Sequence, residues 1–279
     1  MILTNTALWV IERNLGRPLT LTEIADACGV SRYHLAHAFG AATGLSVMQY
    51  VRARRLTMAA QTLADGAPDI LDLALDAGYG SHEAFSRAFR SQFGVTPEMV
   101  RRQASTEDLP MTKAMNIPDG SSAQLEPPRY VSGEPMLVVG ISERHSFDTA
   151  KHIAAQWQKF MTVYGRIPDR TASIPIGVVT NLDEDGNFEY VCGAEVAKFS
   201  TIPGDMVKLR VPAQNYAVFA HRDHVSTIGA TYSAILNHWL AEHDRRAADG
   251  AVVERYLETF DPRTGFGGVE IWLPLEDAK

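Results

Sequence analysis

The sequence predicts a multidomain protein. An all-α N-terminal domain with two helix-turn-helix units joined by a long helix precedes an α+β domain of two β-α-β-β repeats. Three observations predict this. From Leu3 to about Arg102 apolar residues recur at helical spacing, and the breaks are short and marked by Gly, Pro, Ser or Thr. Between about Ser105 and Pro128 the periodicity gives way to a run containing Asp119, Gly120, Ser121 and Ser122, then Pro127 and Pro128, as a linker would. Beyond it, strand-like runs such as 136–141 and 216–220 alternate with helical stretches. The expected domains are 1–104, a linker at 105–126, and 127–279.

In the first half, Thr22 to Cys28 reads as a short helix closed by Gly29, a residue suited to the left-handed turn. Ser31 then caps a second helix starting at Arg32. On that helix Leu35, Ala38 and Phe39 share one face, and Arg32, Tyr33, Ala36 and His37 share the other. The pattern returns about 50 residues on: a helix from Ile70, a turn at Gly78 to Gly80, and Ser81 capping Glu83 to Phe93. Ala84, Phe85, Ala88 and Phe89 are expected to face inward, with His82, Glu83, Ser86, Arg87 and Arg90 outward. Arginine carries the fork that best matches the N7 and O6 acceptors of guanine. A helix over about Val47 to Ala64, with Pro68 just after it, separates the two units. That spacing suits successive major grooves of DNA.

In the second half, a strand near 136–142, a helix near 149–164 and strands near 174–180 and 188–193 are echoed by strands near 206–220, a helix near 226–243, and strands near 252–258 and 268–273. Two such units side by side leave a groove for a small ligand. In the closing run 268–274, period-two alternation puts Glu270 and Trp272 on one strand face and Val269, Ile271 and Leu273 on the other. If the first face lines the groove, Glu270 is a partly buried carboxylate seeking a cationic or hydrogen-bonding partner; if it faces solvent, the pair is unremarkable.

Composition supports and limits this reading. The chain has 279 residues, enough for two domains, and its 46% hydrophobic and 21% charged residues exclude a disordered chain. No apolar run approaches the ~18 residues that span a bilayer, and Met1 to Leu15 carries Asn, Thr, Glu and Arg where a signal peptide is apolar, so a cytoplasmic protein without a membrane partner is expected. The net charge of −7 conceals an asymmetry: residues 1–104 hold ten Arg and nine acidic residues, a net of +1, so the whole acidic excess lies beyond them. Cys28 and Cys192 stand far apart in apolar contexts and read as reduced buried thiols. No catalytic residue, cofactor or metal site is expected: nucleophile-elbow, zincin and phosphate-loop motifs are missing, and His221 and His224 have no nearby third ligand.

Two stretches carry a family resemblance. "LTLTEIADACGVSRYHLAHAFGAATGLSVMQYVRARRL" and "ILDLALDAGYGSHEAFSRAFRSQFGVTPEMVRR" resemble the DNA-binding domain of AraC/XylS-type transcription regulators. The resemblance implies base contacts at Arg32, Tyr33, Ala36 and His37 in the first recognition helix and at His82, Glu83 and Arg87 in the second; the capping Ser31 and the outward Ser86 and Arg90 complete the expected DNA-binding set. Ala36 and His37 depart from the longer polar or Arg side chains common in the family. Residues from about 127 to 276 resemble the GyrI-like small-molecule-binding domain, most closely in "FDPRTGFGGVEIWLPL". This implies a ligand groove with Glu270 as anchor and Trp272, Tyr190 and Trp157 as aromatic walls, suited to a lipophilic or cationic ligand. Together the resemblances imply a one-component regulator, not an enzyme, whose partners are double-stranded promoter DNA, a small-molecule effector and RNA polymerase. The alternative is a GyrI-like hydrolase or drug-sequestering protein tethered to a DNA-binding domain.

Overall fold

A computed structural model describes residues 2–276 except 68, 119–123, 148, 184, 203 and 244. Pro68 and the linker run 119–122, both used in the sequence reading, lie outside the described residues. The chain forms two compact units. One comprises Asn5–Gly29 and Val47–Ile117; the other comprises Met1–Thr4, Val30–Ser46 and Pro118–Lys279. These units do not follow the expected domain boundaries, because the first recognition helix belongs with the C-terminal unit.

The helical unit holds most of α1 (Leu3–Arg13), α2 (Leu21–Cys28), α4 (Val47–Ala64), α5 (Ile70–Asp76), α6 (His82–Phe93) and α7 (Pro97–Gln103). Thr20 and Glu23 form a reciprocal capping box at the start of α2, and Gly29 closes it at φ 70°. Leu56 and Leu63 of α4 pack with Ile70, Phe85, Phe89 and Phe93 in one buried cluster, joined by Leu109 and Met111. The stretch after α7 is bonded to this unit: Thr112 N–H donates to Thr57 Oγ1 at 3.0 Å, and Met115 N–H to Tyr50 Oη at 3.1 Å. Arg54 grips Glu12 through Nε and Nη2, both at 2.8 Å, and donates to the Thr112 carbonyl at 2.7 Å. That guanidinium holds the Glu12 carboxyl below its usual range. Arg54→Ala is expected to lower the unfolding free energy of the helical unit by about 2 kcal/mol, as a charged hydrogen-bonded group loses its partner; chemical denaturation monitored by circular dichroism measures it.

In the C-terminal unit, eight strands form one antiparallel sheet: β1 (Arg129–Gly133), β2 (Met136–Ser146), β3 (Ile176–Thr180), β4 (Asn187–Glu195), β5 (Val207–Val211), β6 (Gln214–His221), β7 (Val252–Tyr256) and β8 (Val269–Pro274). Their order is β1-β6-β8-β7-β3-β4-β2-β5. The expected repeats are β2-α8-β3-β4, with α8 at Ile153–Tyr164, and β6-α9-β7-β8, with α9 at Ile228–Ala234. Each is preceded by a short strand that pairs with the other repeat, β1 with β6 and β5 with β2. The sheet order therefore reads the same from either end when the repeats are exchanged, and β3 meets β7 at the centre, with Gly177 opposite Glu254.

Strand alternation divides the core between the two sheet faces. Phe160 and Tyr164 of α8 cover Tyr190, Cys192 and Ala194 on one half of the helix face. The second helix, which runs from α9 through a π-turn at Ile235–Trp239 into α10 (Leu240–Glu242), covers Ala217, Phe219, Ile271 and Leu273 on the other half. The opposite face buries Val138, Val178, Val191, Tyr216, Val218 and Val253. Ala38 of α3 (Arg32–Thr43) joins the helix-face cluster of Phe219, Trp239 and Ile271.

Candidate functional site

The second recognition helix, α6, is built as the sequence predicts. Ser81 Oγ accepts from Ala84 N–H at 3.2 Å, and Gly94 ends the helix in the left-handed region. Phe85, Phe89 and Phe93 turn inward; Glu83, Arg87 and Arg90 are exposed, and His82 and Ser86 are half-buried beside them. Glu98 Oε1 lies 3.1 Å from His82 Nε2. These outward side chains line one shallow groove.

The first recognition helix is different. Ser31 caps it through His34 N–H at 3.1 Å, and Ser31 and Arg32 are exposed. Of the open face expected from Arg32, Tyr33, Ala36 and His37, only Arg32 is exposed in this conformation: Tyr33 is half-buried and every residue from His34 to Gly40 is buried. His37 packs against Tyr33 with ring centroids 4.0 Å apart and the planes tilted by 44°. Its Nδ1 lies 3.0 Å from the Tyr33 carbonyl oxygen, which can only accept, so Nδ1 carries the hydrogen. Among the described residues Nε2 has no partner. Burial lowers the His37 pKa to about 4 and keeps the ring neutral.

At the centre of the sheet stands a carboxylate the sequence reading did not single out. Glu254 of β7 is 5% exposed, on the face covered by the helices. Tyr190 Oη donates to its Oε2 at 2.6 Å, and Tyr232 Oη of α9 donates to its Oε1 at 2.9 Å. Trp157 Nε1 of α8 donates to Tyr190 Oη at 3.2 Å and packs edge-on against Tyr256, ring centroids 5.0 Å apart. Both carboxylate oxygens are thus met by phenols rather than by a cation. Desolvation raises the Glu254 pKa against the opposing pull of the two phenols. Burial and the neighbouring carboxylate push Tyr190 and Tyr232 well above the usual phenol range. Gly177 makes the arrangement possible: a Cβ there would overlap the Tyr190 hydroxyl and stand 3.1 Å from Glu254 Oε2.

The four ligand residues expected from sequence therefore separate into two groups. Trp157 and Tyr190 join Glu254 on the helix face. Glu270 and Trp272 share a strand face as alternation requires, but it is the opposite one: Glu270 pairs in register with Arg255, and Trp272 with Val253. Glu270 Oε2 accepts from Arg129 Nη2 at 2.7 Å and from Trp272 Nε1 at 3.0 Å. The Trp272 ring has Arg129 at 5.1 Å and Arg255 at 4.8 Å from its centroid. Glu270 thus has a guanidinium partner, which Glu254 lacks among the described residues. Nearby, His221 is committed to structural bonds, with Nδ1 2.8 Å from Thr231 Oγ1 and Nε2 3.1 Å from the His224 carbonyl oxygen.

A sheet with a buried acid in an aromatic setting, together with an exposed capped recognition helix, defines a two-module binding protein, and comparison with known proteins agrees. Residues 126–276, more than half the chain, match the GyrI-like small molecule binding domain, and residues 24–103 match a helix-turn-helix domain. The chain belongs to the GyrI-like family, and its helix-turn-helix domain is of the AraC/XylS type. It is 31% identical over 145 residues to the Right origin-binding protein of Escherichia coli K12, covering 52% of this chain and 49% of that protein. It is 38% identical over 91 residues to the multiple antibiotic resistance protein MarA of Salmonella typhimurium, covering 33% of this chain and 72% of that one. Among solved structures, an AraC-type regulator from Chromobacterium violaceum shares 30% identity, covering 38% of this chain and 94% of that one, with a TM-score of 0.36. The chain thus spans about half the length of the Right origin-binding protein. Among the described residues no helix is long and apolar enough to cross a membrane.

Proposed function

We propose that the chain is a one-component transcription regulator that binds promoter DNA through its recognition helices and senses a lipophilic cation at Glu254. The observation that carries the ligand class is a buried carboxylate with no cationic partner among the described residues, set among Tyr190, Tyr232, Tyr256 and Trp157. Leaving such a group charged in an apolar interior is costly, and a cation with apolar substituents relieves the cost while gaining contact with the aromatic faces. A neutral apolar molecule gains the contact but not the charge relief, and an anion adds repulsion. Ligand entry has to displace the phenols that close over the acid, Tyr232 first, since it comes from the helix rather than the sheet. The site reads as a binding site and not a catalytic one; recovery of the ligand unchanged after long incubation is the expected result. RNA polymerase is the expected macromolecular partner on the promoter.

On the DNA side, Arg87 and Arg90 project from the open face of α6. Arg87→Ala is expected to weaken binding to a duplex selected from a random pool by the full chain, by about 1–3 kcal/mol if Arg87 reads a guanine. Titration by fluorescence anisotropy against that duplex and base-substituted versions checks it. Equal affinity and unchanged base preference would remove Arg87 from the reading set.

A further inference from the structure

The helix that closes the Glu254 site also holds the first recognition helix. Tyr232 sits on α9, and one turn later the helix widens into the π-turn Ile235–Trp239. Widening of this kind takes carbonyls out of the regular helical ladder and is frequent at functional positions. Here the Leu236 carbonyl oxygen lies 2.7 Å from His34 Nε2, which must carry the hydrogen. Asn237, 2% exposed, donates through Nδ2 to the Ala38 carbonyl at 3.0 Å. Its Oδ1 accepts from Thr4 N–H at 3.0 Å and Thr4 Oγ1 at 2.6 Å. Tyr33 Oη donates to the Gly250 carbonyl at 2.8 Å, shortly before β7.

Of the residues through which α3 would read bases, Tyr33 is thereby bonded to the small-molecule domain and Ala36 and His37 are buried, while Ser31 and Arg32 stay exposed. Tyr33 is turned into the contact, and His37, buried against Tyr33, keeps an Nε2 without a partner among the described residues. A permanently buried helix gains nothing from such an atom, because an unsatisfied buried acceptor costs stability. A helix that alternates between protein and DNA does, because the same nitrogen is an acceptor for a base or phosphate contact once exposed. Beside these hydrogen bonds Ala38 and Ala41 pack against the apolar cluster of Phe219, Trp239 and Ile271, so opening the contact also uncovers that surface.

We propose that the chain is autoinhibited. In the resting state α3 is docked on the π-turn of the small-molecule domain, and a cation arriving at Glu254 displaces Tyr232, shifts α9 and releases α3 to DNA. The ligand half of this proposal rests on the assignment of Glu254 as the cation site; the docking half does not. A ligand shifts such an equilibrium only through its different affinity for the two states, and the Tyr232–Glu254 bond, made only when the site is empty, supplies that difference.

The test is hydrogen exchange of the full-length chain over residues 34–40, with affinity for the selected duplex measured in parallel. Wild type, Asn237→Ala, Thr4→Val and Glu254→Gln are compared with and without tetraphenylphosphonium. Asn237→Ala is expected to speed exchange over 34–40 at least tenfold and to tighten duplex binding without ligand, and Thr4→Val to do so more weakly. Tetraphenylphosphonium is expected to reproduce both effects in wild type and neither in Glu254→Gln. Unchanged exchange and duplex affinity in Asn237→Ala overturn the autoinhibition, whether or not the cation binds. If Asn237→Ala does not fold, the same outcome in Thr4→Val overturns it. Should the unlocking variants respond while wild type binds the cation, by Trp fluorescence, with no change over 34–40, the coupling through α9 is overturned and the docking stands. If the cation does not bind at all, the Glu254 assignment fails, and the variants alone decide the docking.

Discussion

Glu254→Gln is expected to weaken tetraphenylphosphonium binding by about thirtyfold or more, because truncating one partner of a buried charge pair costs about 2–5 kcal/mol. The substitution keeps the shape of the side chain and one acceptor for Tyr190 or Tyr232, so a loss on this scale reports charge rather than packing. The same variant carries a pH signature. Burial raises the folded-state pKa of Glu254 above its ordinary value. Below the ordinary carboxylate range both folded and unfolded chains hold the proton and the group has no effect on stability. As pH rises from there through the raised value, the folded state retains its proton longer, so stability falls, and it levels off once the folded carboxyl ionises. Thermal unfolding of wild type is therefore expected to show a decline across that window that Glu254→Gln lacks, leaving the variant the more stable protein at neutral pH. Cation affinity runs the other way, rising with pH through the raised value as the carboxylate forms. A stability difference that does not vary with pH would mean that Glu254 is already ionised and compensated in the empty protein.

Gly177→Ala is expected to have the second-largest effect. The added methyl would occupy the position of the Tyr190 hydroxyl and press on Glu254 Oε2. Tyr190 is 2% exposed, so its ring is enclosed by the core it would have to displace. The cost is about 1–3 kcal/mol of stability in the C-terminal unit, as for other overpacked interiors. More specifically, the Tyr190–Glu254 bond and the Trp157–Tyr190 bond behind it are broken together. Trp157 fluorescence should shift, and cation affinity should fall more than the global stability loss explains. Gly193→Ala, also in a central strand but meeting Val138 and Val191 on the opposite side, serves as the comparison: it is expected to lose stability without the fluorescence change.

Much of the architecture is legible in local sequence because local rules determine it. The caps Ser31 and Ser81, the turn glycines Gly29 and Gly78, and the span Val47–Ala64 all follow from capping chemistry and apolar spacing, and all are present. The two repeats are legible for the same reason. What alternation cannot supply is which face of a strand the helices cover. Glu270 and Trp272 do share a face, yet the face belongs to the side without helices, a consequence of sheet order and not of the run 268–274. The signal for Glu254 was present only in part: an acid on the same alternation face as Val252 and Tyr256, with Arg255 on the other face, in a strand central to a two-repeat sheet. β1 escaped notice because its residues Arg129 to Gly133 are half-exposed and show no apolar run; it is held by pairing with β6, more than eighty residues away. Burial of α3 was not legible at all. Its Arg32, Tyr33, Ala36 and His37 face has the composition of a DNA-reading surface, and the bonds that bury the helix, Tyr33 to Gly250, His34 to Leu236 and Ala38 to Asn237, join residues about two hundred positions apart.

The central claim is that Glu254 makes this a cation site, and the most direct measurement is calorimetric titration of the full-length chain at neutral pH with two ions of the same shape and opposite charge, tetraphenylphosphonium and tetraphenylborate. Shape and apolar area are matched, so the difference in affinity isolates the charge preference. The predicted result is that the phosphonium binds at least tenfold more tightly than the borate, and that Glu254→Gln removes the preference. Equal binding of both ions, or a preference for the borate, would contradict the assignment and leave Glu254 as a structural acid held by its two tyrosines.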